Sequence, residues 1–155
     1  MDAKEKVRMT FDYVFGRGVG SSLPLRELEF FFSQRTGRLK TISHKGDLLA
    51  TFRSDGSIAL TIFGAKLLTK NPRFKSSCVT IDDNVKEFVL EGRSVFAKHV
   101  KSCGNSVRPS ADVAVLDGDG EVIAVGKAIL SAKMMKAFKV GVAVKVRNSY
   151  TGSKN

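Results

Sequence analysis

The sequence predicts an α+β protein, with an N-terminal antiparallel meander and flanking helices followed by a second, β-rich unit carrying two short helices. Three observations lead there. Between Leu28 and Phe63 apolar runs alternate with turn signals. From Cys78 to Gly92 a strand, a capped amphipathic helix and a glycine stop follow in order. Beyond Ser94, short β-branched runs are separated by turn residues as far as Arg147.

The first element is a short helix over Val7 to Phe15, since Phe11 and Phe15 stand four apart beside Val7 and Val14. Gly16 to Ser22 breaks it. Arg35-Thr36-Gly37-Arg38, Lys45-Gly46-Asp47 and Ser54-Asp55-Gly56-Ser57 then read as the turns of a four-strand meander. In its last strand Ile58, Leu60 and Ile62 alternate with Ala59, Thr61 and Phe63, so one face packs on a helix. A short helix at Ala65 to Lys70 is ended by Asn71-Pro72-Arg73, because proline lacks the amide donor and restricts its predecessor. The domain boundary is placed there, giving units 1–76 and 77–155.

The second unit opens with a strand at Cys78 to Ile81 and an N-cap at Asp82 or Asp83. Val85, Phe88 and Val89 stand at i, i+3 and i+4 and are expected to line one buried face, with Gly92 as the left-handed residue that stops the helix. Strands follow at Ser94 to Lys98, His99 to Cys103, Asp112 to Leu116 and Glu121 to Leu130, with Asp117-Gly118-Asp119-Gly120 as a hairpin turn. Ser131 caps a short helix carrying Met134, Met135 and Phe138. In the final strand Val142, Val144 and Val146 share one face, while Ala143, Lys145 and Arg147 share the other. Ser149 to Asn155 reads as a frayed tail.

Composition narrows the function. Hydrophobic residues make up 43% and charged ones 26%, as in ordinary globular proteins. No stretch has the length of uncharged apolar residues that a membrane span needs, and the charged start Met1-Asp2-Ala3-Lys4-Glu5 lacks the apolar core of a signal peptide, so the expectation is a cytoplasmic protein without a membrane partner. Cys78 and Cys103, 25 positions apart, read as free thiols. Lys plus Arg exceed Asp plus Glu by 26 to 15, and a net charge of +11 attracts polyanions, nucleic acid first among them. The charge is also segregated: from Val122 to Asn155 stand Lys127, Lys133, Lys136, Lys139, Lys145, Arg147 and Lys154, and no acid.

No motif points to catalysis, a metal or a cofactor. A calcium loop begun at Asp117 needs glycine sixth and glutamate twelfth, where Val122 and Ala128 stand. Gly16-Arg17-Gly18-Val19-Gly20 lacks the lysine of a nucleotide loop and follows a helical pattern, so it reads as a flexible turn, with Arg17 as an accessory phosphate contact. His44 and His99 have no ligand partners at metal spacing and read as structural or solvated. Ser, Asp and His are all present, and only their placement in three dimensions decides whether a triad forms. Of Phe30-Phe31-Phe32, three in a row on a strand cannot face one side, which leaves Phe31 at a domain interface or exposed, and the interface is favoured.

Two runs are more specific than composition. Val85-Lys86-Glu87-Phe88-Val89 leads to Glu91-Gly92-Arg93-Ser94-Val95-Phe96-Ala97-Lys98-His99-Val100, followed by Val107-Arg108-Pro109, Asp112 to Asp117, Val122 to Ala128 and Val142 to Arg147. This order resembles a PUA domain, and in particular the C-terminal one of archaeal tRNA-guanine (archaeosine) transglycosylases. Phe15-Gly16-Arg17-Gly18, Thr36-Gly37-Arg38, Asp47 to Thr51 and Gly64-Ala65-Lys66 resemble the domain before PUA in those enzymes more loosely.

The resemblance implies a PUA-like β pseudo-barrel for the second unit and recognition of structured RNA, a stem beside a single-stranded end. The loop that would do this is Gly92-Arg93-Ser94: Gly92 lets the backbone approach phosphate, and Arg93 offers a bidentate fork. Lys98, Lys101, Arg108, Lys145 and Arg147 extend the cationic track. The transglycosylase active site lies in a barrel of about 250 residues, for which 155 leave no room, so no catalytic residue carries over. The expected partner is RNA, with tRNA favoured. Two readings stand: a noncatalytic RNA-binding protein, or a subunit that supplies RNA binding to a separate tRNA-modifying enzyme. Nothing in the sequence sets the oligomeric state.

Overall fold

In the computed structural model, which describes residues 2–150, the fold begins where the Asp2 carboxylate accepts a hydrogen bond from the Glu5 amide at 2.8 Å and opens helix α1, Ala3–Phe15. The cap starts the helix four residues before the apolar periodicity does. Val7, Phe11 and Phe15 form its buried face. The Phe11 ring meets that of Phe52 and the Phe15 ring that of Phe74, with Phe11 to Phe15 and Phe15 to Phe74 both 5.5 Å between centroids. The glycine run after α1 folds back on the helix: Gly20 donates to Asp12 Oδ1 at 2.7 Å, and a β-carbon there would stand 2.2 Å from the Arg8 carbonyl oxygen. This glycine is a point of backbone contact.

The chain divides into two units, Met1–Phe74 and Lys75–Asn155. In the first, strands β1 (Leu28–Phe32), β2 (Leu39–His44), β3 (Asp47–Phe52) and β4 (Ile58–Leu60) pair antiparallel in chain order, the predicted meander. Lys45 and Gly46, both at positive φ, make the tight β2–β3 turn. The register Leu28–His44, Phe30–Ile42, Ile42–Ala50, Ala50–Leu60 carries the inward face, where Leu28, Ile42, Ala50 and Leu60 are buried. The last strand is shorter than the alternation predicts. Thr61 accepts from the Gly64 amide at 3.0 Å and caps helix α2, Ile62–Leu68, so Ile62 and Phe63 are helical. A 3₁₀ stretch, Pro72–Ser77, follows.

The second unit is a six-stranded sheet in the order β6-β10-β9-β8-β5-β7. Its strands are β5 (Cys78–Ile81), β6 (Val95–Phe96), β7 (Val100–Cys103), β8 (Asp112–Leu116), β9 (Val122–Ala128) and β10 (Val142–Ser149). The two edge strands are consecutive in the chain, joined through the 3₁₀ turn Ala97–His99, so the sheet curls toward the predicted pseudo-barrel. β5 and β8 run parallel and every other pair antiparallel. Val79, Ile81, Val113, Val115, Ile123 and Val144 fill the interior. Two short helices, α3 (Lys86–Leu90) and α4 (Ala132–Ala137), complete the unit, and Ser131 caps α4 by accepting from the Met134 amide.

Several boundaries are tighter than predicted. The turn Ala97–His99 takes residues that alternation assigned to two longer strands. β10 runs through Ser149, whose hydroxyl donates to the Val89 carbonyl at 2.6 Å, so the expected fraying is absent as far as Tyr150, and residues 151–155 lie outside the described ones. Among the described residues no helix is long and apolar enough to cross a membrane.

Candidate nucleic-acid interface

Helix α3 ends in a Schellman motif. The Arg93 amide donates to the Phe88 carbonyl at 3.1 Å and the Gly92 amide to Val89 at 2.9 Å, with Gly92 at φ +97°. Gly92 is therefore fixed by helix termination, and open space surrounds the position of its absent β-carbon. The motif projects Arg93 from the surface. Its guanidinium lies 5.4 Å from the centre of the Phe88 ring, and its Nε stands 3.7 Å from Glu91.

Phe88 corrects an expectation. It is 49% exposed, while Val85 and Val89 are buried. Val85 belongs to a 3₁₀ turn, Asp83–Val85, which shifts the phase between it and α3 and leaves Phe88 facing out. Asp82 precedes that turn without a side-chain cap, and Asp83 instead accepts from the Gly118 amide at 2.9 Å. Phe88 forms part of a groove of about 360 Å³, with Val85, Val89 and Val95 as apolar lining and Asn84, Arg93, Ser94, Phe96 and His99 around it. Phe96 is 47% exposed.

β6 leaves this loop and pairs with β10 through Val95–Val144, one position before Lys145 on β10. Lys145 in turn faces Lys127 on β9, and Lys127 faces Asp112 on β8. The exposed Lys127–Lys145 pair extends the cationic surface from the loop across β10. Gly126 permits the close approach of these strands, since a β-carbon there would meet the Lys145 carbonyl oxygen at 2.2 Å.

Arg147 has a different setting. Its guanidinium forks onto the buried Asp112 carboxylate at 2.7 and 3.3 Å. Much of its charge is thereby offset. Lys98 is exposed on the turn after β6, Lys101 on β7, and Arg108 on the loop before β8. No strand pairing among the described residues joins Lys101 or Arg108 to β10. The predicted track leaves out Lys127, which the sequence marks only within the acid-free basic run and cross-strand register brings to Lys145, and Phe88, which a core assignment hides; Phe96, given no role by the sequence, joins them on the surface.

The acidic turn before β9 is a hairpin lock. Asp117 Oδ1 accepts from the amides of Asp119 and Glu121, both at 3.0 Å, and Lys86 donates to Oδ2 at 2.9 Å. Burial pushes this carboxyl up, but the hydrogen bonds and the Lys86 charge outweigh it and hold the group below its ordinary range. His44 is hydrogen-bonded to Glu27 at 2.9 Å, and that bond pulls the exposed glutamate down. Both cysteines are free thiols, and burial pushes Cys78 up to about 12, so it is a poor nucleophile. Among the described residues no group of three or more His, Cys, Asp or Glu side chains is placed to hold a metal.

Comparison with known proteins agrees with this architecture. Residues 78–150 match the PUA domain, and residues 5–74 match the patch-forming domain C2 of tRNA-guanine transglycosylase. The tRNA-guanine(15) transglycosylase of Methanothermobacter thermautotrophicus is 35% identical over 95% of this chain and 23% of its own length. That of Thermococcus kodakarensis is 36% identical over 94% of this chain and 25% of its own. The chain thus spans about a quarter of the curated relatives it matches. A hypothetical protein of Pyrococcus horikoshii OT3, 19% identical, superposes with a TM-score of 0.75 over 97% of this chain and 91% of its own, a likeness of fold. The chain thus carries a PUA domain over residues 78–150, preceded over residues 5–74 by a patch-forming C2 domain of the tRNA-guanine transglycosylase type.

Proposed function

We propose that this chain is a noncatalytic RNA-binding protein whose PUA domain holds tRNA or a similarly folded RNA at the Gly92-Arg93-Ser94 loop. The observation that carries the reading is the surface around that loop, where an exposed arginine and two exposed phenylalanines border one groove and Lys145 and Lys127 continue the positive charge. Arg93 grips phosphate, the rings offer stacking faces to unpaired bases, and the lysines hold the flanking backbone. Lys98, Lys101 and Arg108 are outlying phosphate contacts. Arg147 acts first on Asp112 and only secondarily on RNA.

Binding to folded tRNA and to random single-stranded RNA of equal length, with and without Arg93→Glu plus Lys145→Glu, tests it. Preference for the folded RNA and a loss of roughly tenfold or more in the variant are expected. Equal affinity for both RNAs, untouched by the substitutions, sinks the reading. Absorbance offers a quick check. With no Trp and two Tyr, co-purified nucleic acid dominates the protein's ultraviolet spectrum and should leave in high salt.

A second reading is favoured by Phe31, which is 61% exposed on the first unit. In it, the chain supplies RNA binding to a separate tRNA-modifying enzyme that covers this ring. Native purification should then yield an associated tRNA-modifying activity that Phe31→Glu removes. Purification of the chain with RNA alone argues against it.

A further inference from the structure

The Gly92-Arg93-Ser94 loop is held from a strand distant in the sequence. Ser149, at the end of β10, donates its hydroxyl to the Val89 carbonyl at 2.6 Å, and the same carbonyl accepts the Gly92 amide of the helix stop at 2.9 Å. A carbonyl oxygen has two lone pairs, so both bonds form together. Strict alternation would not aim Ser149 there. It would place the residue on one face with Lys145 and Arg147, both exposed. Between Val146 and Asn148, however, β10 takes two steps while β9 takes one, from Gly126 to Val125, so the strand carries a bulge. Beyond it the faces exchange. Ser149 stands opposite Ala124, a member of the buried core, and turns inward to the end of α3, which packs on both β9 and β10. The start of α3 is tied down separately, by Lys86 on Asp117 and by the Gly118 amide on Asp83.

We infer that Ser149 is a positioning residue for RNA: through the Val89 carbonyl it holds the glycine stop, and with it Arg93, in the geometry that grips phosphate; the inference rests on the RNA-binding reading above. Arg93 follows Gly92 directly, and its own amide is fixed by the Phe88 carbonyl at 3.1 Å. The direction in which its side chain leaves the surface is therefore set by how the last turn of α3 closes. Gly92, at positive φ, is the most permissive backbone position in that turn, so an external bond to its partner carbonyl restricts the loop where it is otherwise freest. A loop ordered only on binding loses part of its contact energy to that ordering, whereas one already held does not. Ser149 bears no charge and acts without touching RNA.

The test uses the full chain as Ser149→Ala and Ser149→Thr, with Arg93→Glu plus Lys145→Glu as the comparison, binding one folded tRNA over a series of salt concentrations at a temperature where circular dichroism shows every variant folded. Ser149→Ala should bind about threefold to tenfold more weakly, as the loss of one hydrogen bond implies, and keep the wild-type salt slope because no phosphate contact is lost. Hydrogen exchange at the Gly92 amide should quicken alongside, and Ser149→Thr, which keeps the hydroxyl, should restore both. Wild-type affinity in Ser149→Ala, beside a weakened comparison variant, reduces the bond to a fold contact and overturns the inference while the RNA reading stands. A loss that Ser149→Thr fails to restore belongs to packing and overturns it as well. Wild-type affinity in both Ser149→Ala and the comparison variant overturns the inference and the RNA reading together.

Discussion

Arg147 shows how one side chain divides between stability and binding. Asp112 lies buried beneath its guanidinium, so Arg147→Gln removes the opposite charge from a buried carboxylate and should destabilise the fold by about 2–3 kcal/mol in chemical denaturation. Lys145→Gln, on the exposed neighbouring position, should change stability by less than about 0.5 kcal/mol and act on RNA affinity alone. Spacing in the final strand gave both residues one exposed cationic face, because alternation reports direction and carries no information about which acid stands across the sheet. Phe88 escaped for a related reason. Its i+3 position marks it as core only if the preceding turn is α-helical, and the 3₁₀ geometry at Asp83–Val85 turns the ring outward beside Arg93. Gly92, by contrast, was legible from sequence, since the left-handed stop it makes is a local property of the helix end.

At the scale of elements, the β9–β10 ladder depends on backbone contact at Gly126. Gly126→Ala should cost on the order of 2–4 kcal/mol, because the added methyl meets the Lys145 carbonyl and forces the strands apart. The hairpin before β9 sets a pH dependence. Asp117 titrates below its ordinary value when folded, so its contribution is fully present above the unfolded carboxylate range and is lost as pH falls through the lowered folded value. Asp117→Asn should therefore lower stability at neutral pH and flatten the acid limb of a denaturation series, whereas an unchanged acid limb would assign that limb to other carboxylates. The four strands of the meander were readable from turn residues, α4 from its Ser131 cap and α3 from its glycine stop, whereas the expected aspartate cap of α3 does not form. The errors fell at junctions, where Thr61 caps α2 within an alternating run and where Ala97–His99 turns inside one, because a cap or a corner overrides periodicity over two or three residues.

For the whole molecule, the proposed function makes RNA affinity an electrostatic property centred on the PUA unit. The fold class and the family pattern could be read from the chain, but the composition of the surface could not. Lys127 joins Lys145 only through the β9–β10 register, and the aromatic rims of the groove exist only once α3 and β6 are placed together. The most direct test of the central claim is the salt dependence of tRNA binding by the wild-type chain and by Arg93→Gln with Lys145→Gln, with a verified fold. Affinity should fall steeply with salt in the wild type, with a log–log slope shallower by roughly two in the variant. A variant with the wild-type slope and affinity would contradict it.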